Sequence, residues 1–441
     1  MIIVFLWPLW ALGQMPVAAP TWGQKIEVAS SGGINIEVRP WRGCSATRWD
    51  YVDDPSAAIN DAGFVAVAWA DQQSRDVYLH MYAPDGRLLF KQPVNISNNG
   101  STFSWLPKMI ITSTDPIRVY VLWQEIIDNG GTHCGDILFA RSLDGGQTFE
   151  TPLNLSNDAA GSGKGRVNRN GWSNGSLDLV LGPEGNLYAT WTEYEGTLWF
   201  SRSTDQGATF SAPKPIANTG DAKPARDPAL ATDAQGTIYL AWAEGDNPTG
   251  DIQFTKSTDQ GQTFSKPIIA YHDSDYSDAP SLLVDSHGTL HLIYNELSIR
   301  PQGCLVNGLL HYLRSADGGQ TFVKVNSISD PEKDFFIPKN MGMDGRGTVY
   351  VVWYIWDRGC TGEEKPRGMG FSYSTDGGQT FASPSVVPDS DDLTLNIGFE
   401  GWSGGQRIAV NKTGAIAVVF GTFKKDVDSH IWLIRGQAAQ K

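Results

Sequence analysis

The chain has 441 residues, 34 Lys and Arg against 48 Asp and Glu, and a formal net charge of −14. Its longest basic cluster is Lys424-Lys425, and without a basic patch or stripe neither nucleic acid nor an anionic membrane surface is an expected partner. With 48 Gly, 24 Pro, 16 Trp, 14 Tyr and 18 Phe, and no long stretch of 3.6-residue periodicity, the composition reads as all-β and excludes a helical bundle.

In chain order, Ile2 to Leu12 form an apolar run followed by Val17-Ala18-Ala19, small residues suited to a cleavage site. Residues 1–22 are therefore expected to be a secretory leader, and the protein to be secreted or periplasmic. The run is too short to span a bilayer, so no membrane insertion is expected. Residues 23–441 are expected to form one domain. Lys25-Ile26-Glu27-Val28 and Ile34-Asn35-Ile36-Glu37-Val38 read as strands, and from near Pro55 the chain becomes periodic.

Each period holds a strand, a tight turn ending in Gly, a strongly apolar strand ending in an aromatic, a variable loop, a third strand, an Asp-Gly turn and a fourth strand. The Gly and aromatic recur six residues apart at Gly63 and Trp69, Gly185 and Trp191, Gly236 and Trp242, Gly288 and Tyr294, Gly347 and Trp353, and Gly414 and Phe420. A further copy ends at Trp123 after Asp115-Pro116, which makes seven units. The last unit lacks its fourth strand. A spare N-terminal strand near Ile36 is expected to fill that place and close a ring, which leaves no exposed sheet edge. Strands such as Thr348 to Trp353 are apolar on both faces, as blades stacked around an axis require. The expected fold is an all-β propeller of four-stranded blades, seven in number, with six as the alternative.

The Asp-Gly turn is an octapeptide found five times, at Ser142, Ser203, Ser257, Ser315 and Ser374, with starts 54 to 61 residues apart. An Asp accepting from backbone N–H groups two and three residues on, then a Gly at positive φ, is turn chemistry. Its five Asp residues are read as structural. The octapeptide turn and the turn between strands one and two share one face of such a ring. The loops after strand two and the connections between blades share the other, where sequences diverge and function is expected.

Second strands end there in Trp69-Ala70-Asp71, Trp123-Gln124-Glu125, Trp191-Thr192-Glu193, Trp242-Ala243-Glu244 and Tyr294-Asn295-Glu296. Inter-blade connections and loops on this face add Arg169, Trp172, Arg226, Asp227, Tyr276, Arg300 and Trp402. Arginines bind carboxylates in bidentate fashion and paired acids perform glycosidic acid/base work, so the expected partner is a carbohydrate or glycoconjugate. For any one repeated Glu, closing a loop onto backbone N–H groups is the competing reading.

The four cysteines, Cys44, Cys134, Cys304 and Cys360, fall in loops on the same face, and pairing of Cys44 with Cys134 and Cys304 with Cys360 is expected in an oxidising compartment. No Cys-x-x-Cys or spaced His pair marks a zinc site, so no metal or cofactor is expected.

The pattern Ser-x-Asp-x-Gly-x-Thr-Phe at these five positions resembles the Asp box, or bacterial neuraminidase repeat, of the sialidase superfamily. The resemblance covers most of residues 54 to 437. It implies an Asp-box β-propeller, and an exported glycoside hydrolase of exo-sialidase type as its activity. The alternative is a non-catalytic propeller that binds glycan or protein on the variable face. On the enzyme reading, placement on that face makes Glu193, Glu244 and Glu296 candidate pocket carboxylates, Asp227 the acid/base and Tyr276 the nucleophile. Arg169, Arg226 and Arg300 are candidate anion clamps, Trp172 and Trp402 candidate sugar platforms, and a monomer is expected.

Overall fold

Second strands that are apolar on both faces must be covered on both, and that requirement sets the architecture. In Val65–Asp71, Leu187–Thr192 and Ile238–Glu244 every residue but the terminal acids is buried. The computed structural model of the chain describes residues 19–31, 51–99, 102–128, 133–156, 166–168, 171–173, 176–192, 196–217, 223–245, 250–272, 276–299, 305–325, 328, 339–356, 366–391, 396–397, 405–424 and 427–439. Their strands form seven antiparallel blades, six of four strands and a seventh enlarged by the chain termini. First strands face the axis: Val52–Ile59, Phe103–Ile111, Leu177–Leu181, Ala225–Thr232, Tyr276–Val284, Lys339–Met343 and Ile408–Val410, in blades one to seven. Trp69, Trp123, Trp191, Trp242 and Trp353 are buried between blades.

The octapeptide is both turn and clamp. In blade four, Ser257 Oγ donates to Asp259 Oδ1 at 2.7 Å and accepts from Gly261 N at 2.8 Å, while Thr263 donates Oγ1–H to Asp259 Oδ2 at 2.6 Å. The bonds from Thr263, then that from Ser257, hold the Asp259 carboxyl well below the usual carboxylate range. Its Phe does not tuck under its own turn. It meets the third-strand aromatic of the preceding blade edge-on, with centroids 4.8 Å apart in Phe139–Phe210, 5.0 Å in Phe200–Phe264 and Phe254–Phe322, and 4.8 Å in Tyr312–Phe381.

A basic residue just before each of the first four octapeptide Ser residues reaches forward to the next octapeptide. Arg141 donates to Gln206 O at 3.1 Å, Arg202 to Gln260 O at 2.6 Å, Lys256 to Gly318 O at 2.7 Å and Arg314 to Gly377 O at 3.0 Å. All four acceptors occupy the fourth position of their octapeptide.

Closure uses a different strand from the one expected. Ile26–Ser31, and not the stretch near Ile36, pairs antiparallel with Asp428–Gln437 on the edge of blade seven, burying Val28. Thr21–Trp22, the last two residues of the stretch assigned to the leader, pair with the same strand at Gln437 and Gly436. Val38 and its neighbours lie outside the described residues. Arg435 of blade seven donates to Ala83 O at 3.0 Å and Gly63 O at 3.2 Å in blade one. Nearer the axis, fully buried Arg407 donates to Pro55 O at 2.6 Å and lies 3.8 Å from Asp54.

Cys134 is not in a loop: the second and third strands of blade two run on as Val119–Asp128 and His133–Ser142, and Cys134 pairs in register with Ile127. Cys44, Cys304 and Cys360 lie outside the described residues, and with them both expected disulfides.

Gly261 and Gly145 share φ = +79°, but a Cβ on Gly261 would lie 2.6 Å from the Phe200 ring, whereas one on Gly145 meets nothing within 4 Å. Gly145→Ala is expected to cost about 1–2 kcal/mol, the left-handed penalty alone. Gly261→Ala should cost about 3 kcal/mol or more, because the clamped ring cannot yield. Denaturant melts of both variants check this, and equal losses would refute the clamp.

Candidate functional site

Four first strands carry an x-Pro dipeptide at the same level: Asp54-Pro55, Leu106-Pro107, Asp227-Pro228 and Ala279-Pro280. Proline cannot donate to the ladder and tends to sit at bulges. Accordingly the register shifts at each site, between Asp53 and Ser56, Trp105 and Lys108, Arg226 and Ala229, and Asp278 and Ser281. The residue before each Pro takes positive φ, +47° at Asp54, Asp227 and Ala279 and +55° at Leu106. A bulge re-aims side chains, and here the pre-proline side chain is directed toward the neighbouring blades.

Two of these residues are aspartates, and their surroundings differ. Asp54 is fully buried, near Arg407 of blade seven and accepting from Trp105 Nε1 of blade two. Asp227, in blade four, meets Ser176 of the preceding blade where Asp54 meets Arg407, and has Asp278 of blade five at the place of Trp105. Ser176 Oγ donates to Asp227 Oδ1 at 2.5 Å, and the Asp278 carboxyl is in hydrogen-bond contact with Asp227. Desolvation, then the like charge of Asp278, pushes the Asp227 carboxyl up to about 7, against the opposing pull of Ser176 and Arg226. Arg226 Nε lies 3.9 Å from Asp278 Oδ1, and Arg226 Nη2 donates to Gly245 O at 2.6 Å. Two carboxyl groups in contact cannot both ionise freely, so Asp227 keeps its proton up to about neutrality.

Asp227 is partly exposed, and what it faces is an axial cavity of about 380 Å³. The first strands of blades two to six and Gln406 at the edge of blade seven's line it, mostly with Leu, Ala, Pro and Val, and its polar groups include Lys108, Ser176, Asp178 and Asn340.

The other expected site residues divide three ways. Arg226 stands beside the acid pair. Glu244 ends its second strand and Glu296 lies within the longer Leu290–Ile299, opposite Ala225 and Ser277 respectively, and neither lines the cavity. Burial raises the half-buried Glu244 carboxyl, with Lys223 opposing and Asp251 adding to the shift. Glu296 accepts from His311 Nε2, with Lys324 Nζ 3.8 Å away. Tyr276 opens the first strand of blade five, two residues before Asp278, and Trp172 sits in a hairpin of Arg166–Asn168 and Gly171–Ser173 between blades two and three; only their backbones are described. Glu193, Arg169, Arg300 and Trp402 lie outside the described residues.

Glu125 supports the competing reading of the repeated acid. Buried, it accepts from Ser104 Oγ at 2.6 Å, Trp123 Nε1 at 2.8 Å and Thr102, and so fastens its own blade. Asp278 and Ser176 carry no mark of their own in the sequence; the signal that locates Asp278 is the repeated x-Pro. Among the described residues no group of three or more His, Cys, Asp or Glu could hold a metal ion.

No family model matches the chain, and no curated protein matches it in sequence. Solved structures do. An ulvan lyase bound to -[GlcA(1-4)Rha3S]- is similar at 13% identity and a TM-score of 0.58, over 93% of this chain and 95% of its own. The polysaccharide lyase Uly1 is similar at 12% identity and 0.57, over 95% and 100%. A Hadza microbial sialidase aligns at 16% identity over 83% and 73%, with a TM-score of 0.47. At such identities the two lyases bear on the fold, and glycan-acting propeller enzymes are among the proteins that share it.

Replacing Asp278 removes the like charge, so Asp278→Asn is expected to lower the Asp227 midpoint from about 7 by about one unit or more. Carboxyl-carbon NMR titration reads this directly, and an unmoved midpoint would mean the two groups do not share a proton.

Proposed function

We propose that the protein is an exported enzyme that acts on acidic glycans and cleaves a glycosidic bond at the mouth of the axial cavity. The observation that carries this reading is the Asp227 carboxyl, protonated up to about neutrality and facing that cavity. A general acid with its midpoint near the working pH is what protonation of a glycosidic oxygen requires.

Hydrolysis by two carboxyl groups needs them about 5–9.5 Å apart. Asp227 and Asp278 are in contact, so they serve as one proton-holding unit and the second participant must come from elsewhere. Sialidases employ a Tyr nucleophile in place of the second carboxylate, and Tyr276 begins the strand that carries Asp278. On this reading Asp227 gives its proton to the leaving oxygen as Tyr276 attacks the anomeric carbon, its phenolic proton passing to a carboxylate of the same face that returns it when the tyrosyl oxygen leaves. Water then displaces the tyrosyl oxygen, with Asp227 taking the proton back. The five octapeptides, in their resemblance to the sialidase superfamily, and the acidic glycan bound by the similarly folded ulvan lyase both support a glycan substrate bearing negative charge.

A panel containing a sialoside, neutral aryl glycosides and ulvan tests the reading. The expected result is release of free sialic acid, with kcat falling as the pH rises through about 7 because the donor loses its proton. Asp227→Asn should lower kcat about 10²-fold or more with an unchanged melting temperature. An unsaturated product would replace hydrolysis by elimination. Binding on a glycan array with no turnover would make the protein a non-catalytic propeller.

A further inference from the structure

Among the described residues, the charged ones lining the axial cavity are Asp227, Asp178 and a single cation, Lys108. Lys108 lies on the first strand of blade two and Asp178 on that of blade three, with side chains 14% and 16% exposed. Their closest approach, Nζ to Oδ1, is 3.5 Å, longer than the ~2.7–2.9 Å of a tight charge-assisted bond. Asp178 is already held from the other side, since its Oδ2 accepts from Leu230 N at 2.8 Å. The carboxylate is thus fixed between blades three and four. The ammonium, with three donors, is drawn toward it without being saturated by it.

Depth along the axis follows from the strand registers. Lys108 is opposite Leu122 and Asp178 opposite Thr190, each one residue below the buried Trp of its second strand. Asp227 lies in the bulge between Arg226, opposite Ala243, and Ala229, opposite Ala241, which is the level of Trp242. The Lys108 backbone therefore lies about one residue, ~3.3 Å along the strand, deeper than that of Asp227. Ser176 and Asp178 are two apart on one strand and point to the same side, so a single polar edge connects Asp227 to Lys108.

We propose that Lys108 is a specificity-determining residue that binds the anionic group, carboxylate or sulfate, of an acidic sugar whose glycosidic oxygen lies at Asp227. This rests on the acidic-glycan reading above. The cavity walls are otherwise mostly apolar, with Ser176, Thr232, Ser281, Asn340 and Gln406 their neutral polar residues, and a desolvated cation in such a place is incompletely compensated until an anion arrives. Asp178 keeps the empty cavity near neutral and fixes the ammonium without occupying all of its donors. A Lys is a point charge and makes no planar demand, so the site discriminates charge more than the geometry of the anion.

The test uses calorimetry on the full chain with N-acetylneuraminate, a sulfated monosaccharide and glucose as probes. At least one anionic sugar should bind and glucose should not. Lys108→Met should weaken anionic binding about tenfold or more, the worth of one charge-assisted bond, and Lys108→Arg should largely restore it. Equal binding by wild type and Lys108→Met overturns the proposal, as does failure of the wild type to bind either anion. Should Lys108→Met not fold, Asp178→Asn replaces it: freeing the ammonium ought to tighten binding, and weaker or unchanged binding overturns the proposal. The two readings fail separately. Lys108-dependent binding without cleavage of any glycan removes the enzyme and leaves this site, whereas cleavage of acidic glycans unaffected in KM by Lys108→Met removes this site and leaves the enzyme.

Discussion

From blade two to blade six the structure depends on the seat that each blade offers the next. The third-strand aromatic of one blade receives the Gly and Phe of the following octapeptide, and the adjacent Arg or Lys ties down the same turn through its backbone carbonyl. In this arrangement the octapeptide Asp is wholly occupied by its own Ser and Thr, and it has no part in chemistry. The clamp lies on one face only. It holds the blades together there and leaves the loops of the opposite face free to differ, as binding sites on rigid scaffolds do.

The clamp runs out where the octapeptides end, and the seam between blades seven and one is made from other parts. An N-terminal strand completes blade seven, Arg435 reaches the turns of blade one, and Arg407 is buried against Asp54 and Pro55. Removing one partner of such a buried pair leaves the other uncompensated, at a cost of about 3–5 kcal/mol, so the seam is conditional on both. Asp54 and Asp227 share a pre-proline bulge and a φ of +47°. With Arg407 beside it the carboxyl becomes a fastener. With Ser176 and Asp278 as its neighbours instead, it becomes a group that holds a proton near neutral pH.

Local patterns carried most of the fold. The Gly-to-aromatic spacing marks all second strands but one, and turn chemistry alone accounts for the octapeptide Asp. What could not be read is non-local. Ile26–Ser31 and the stretch near Ile36 look alike as strands, and only the room left beside Asp428–Gln437 selects the first. The octapeptide Phe is near its turn in sequence, yet its partner is some 60 residues earlier in the chain, as with Phe264 and Phe200. At the site, Asp227 was legible from its face, but its partner Asp278 was not, because contact across two blades depends on bulges at both Asp227 and Ala279. Trp123-Gln124-Glu125 showed the reverse. It looked functional by repetition, and its Glu is consumed by Ser104, Thr102 and Trp123.

Charge balance fixes how the cavity recognises anything. The protein carries a net −14, so at a distance an anionic glycan is repelled and a cationic ligand attracted. Within the cavity the balance is different: Lys108 offsets Asp178, while Arg226 stands against an acid pair that retains a proton. At physiological ionic strength the outer charges are screened over about 8 Å, whereas the partly buried cavity groups are screened far less. On the proposed reading, selection of an acidic sugar is accordingly a short-range event, made by Lys108 after entry. On that reading, the proton that would make Asp227 a donor also removes the negative charge that would otherwise oppose an acidic substrate at the mouth.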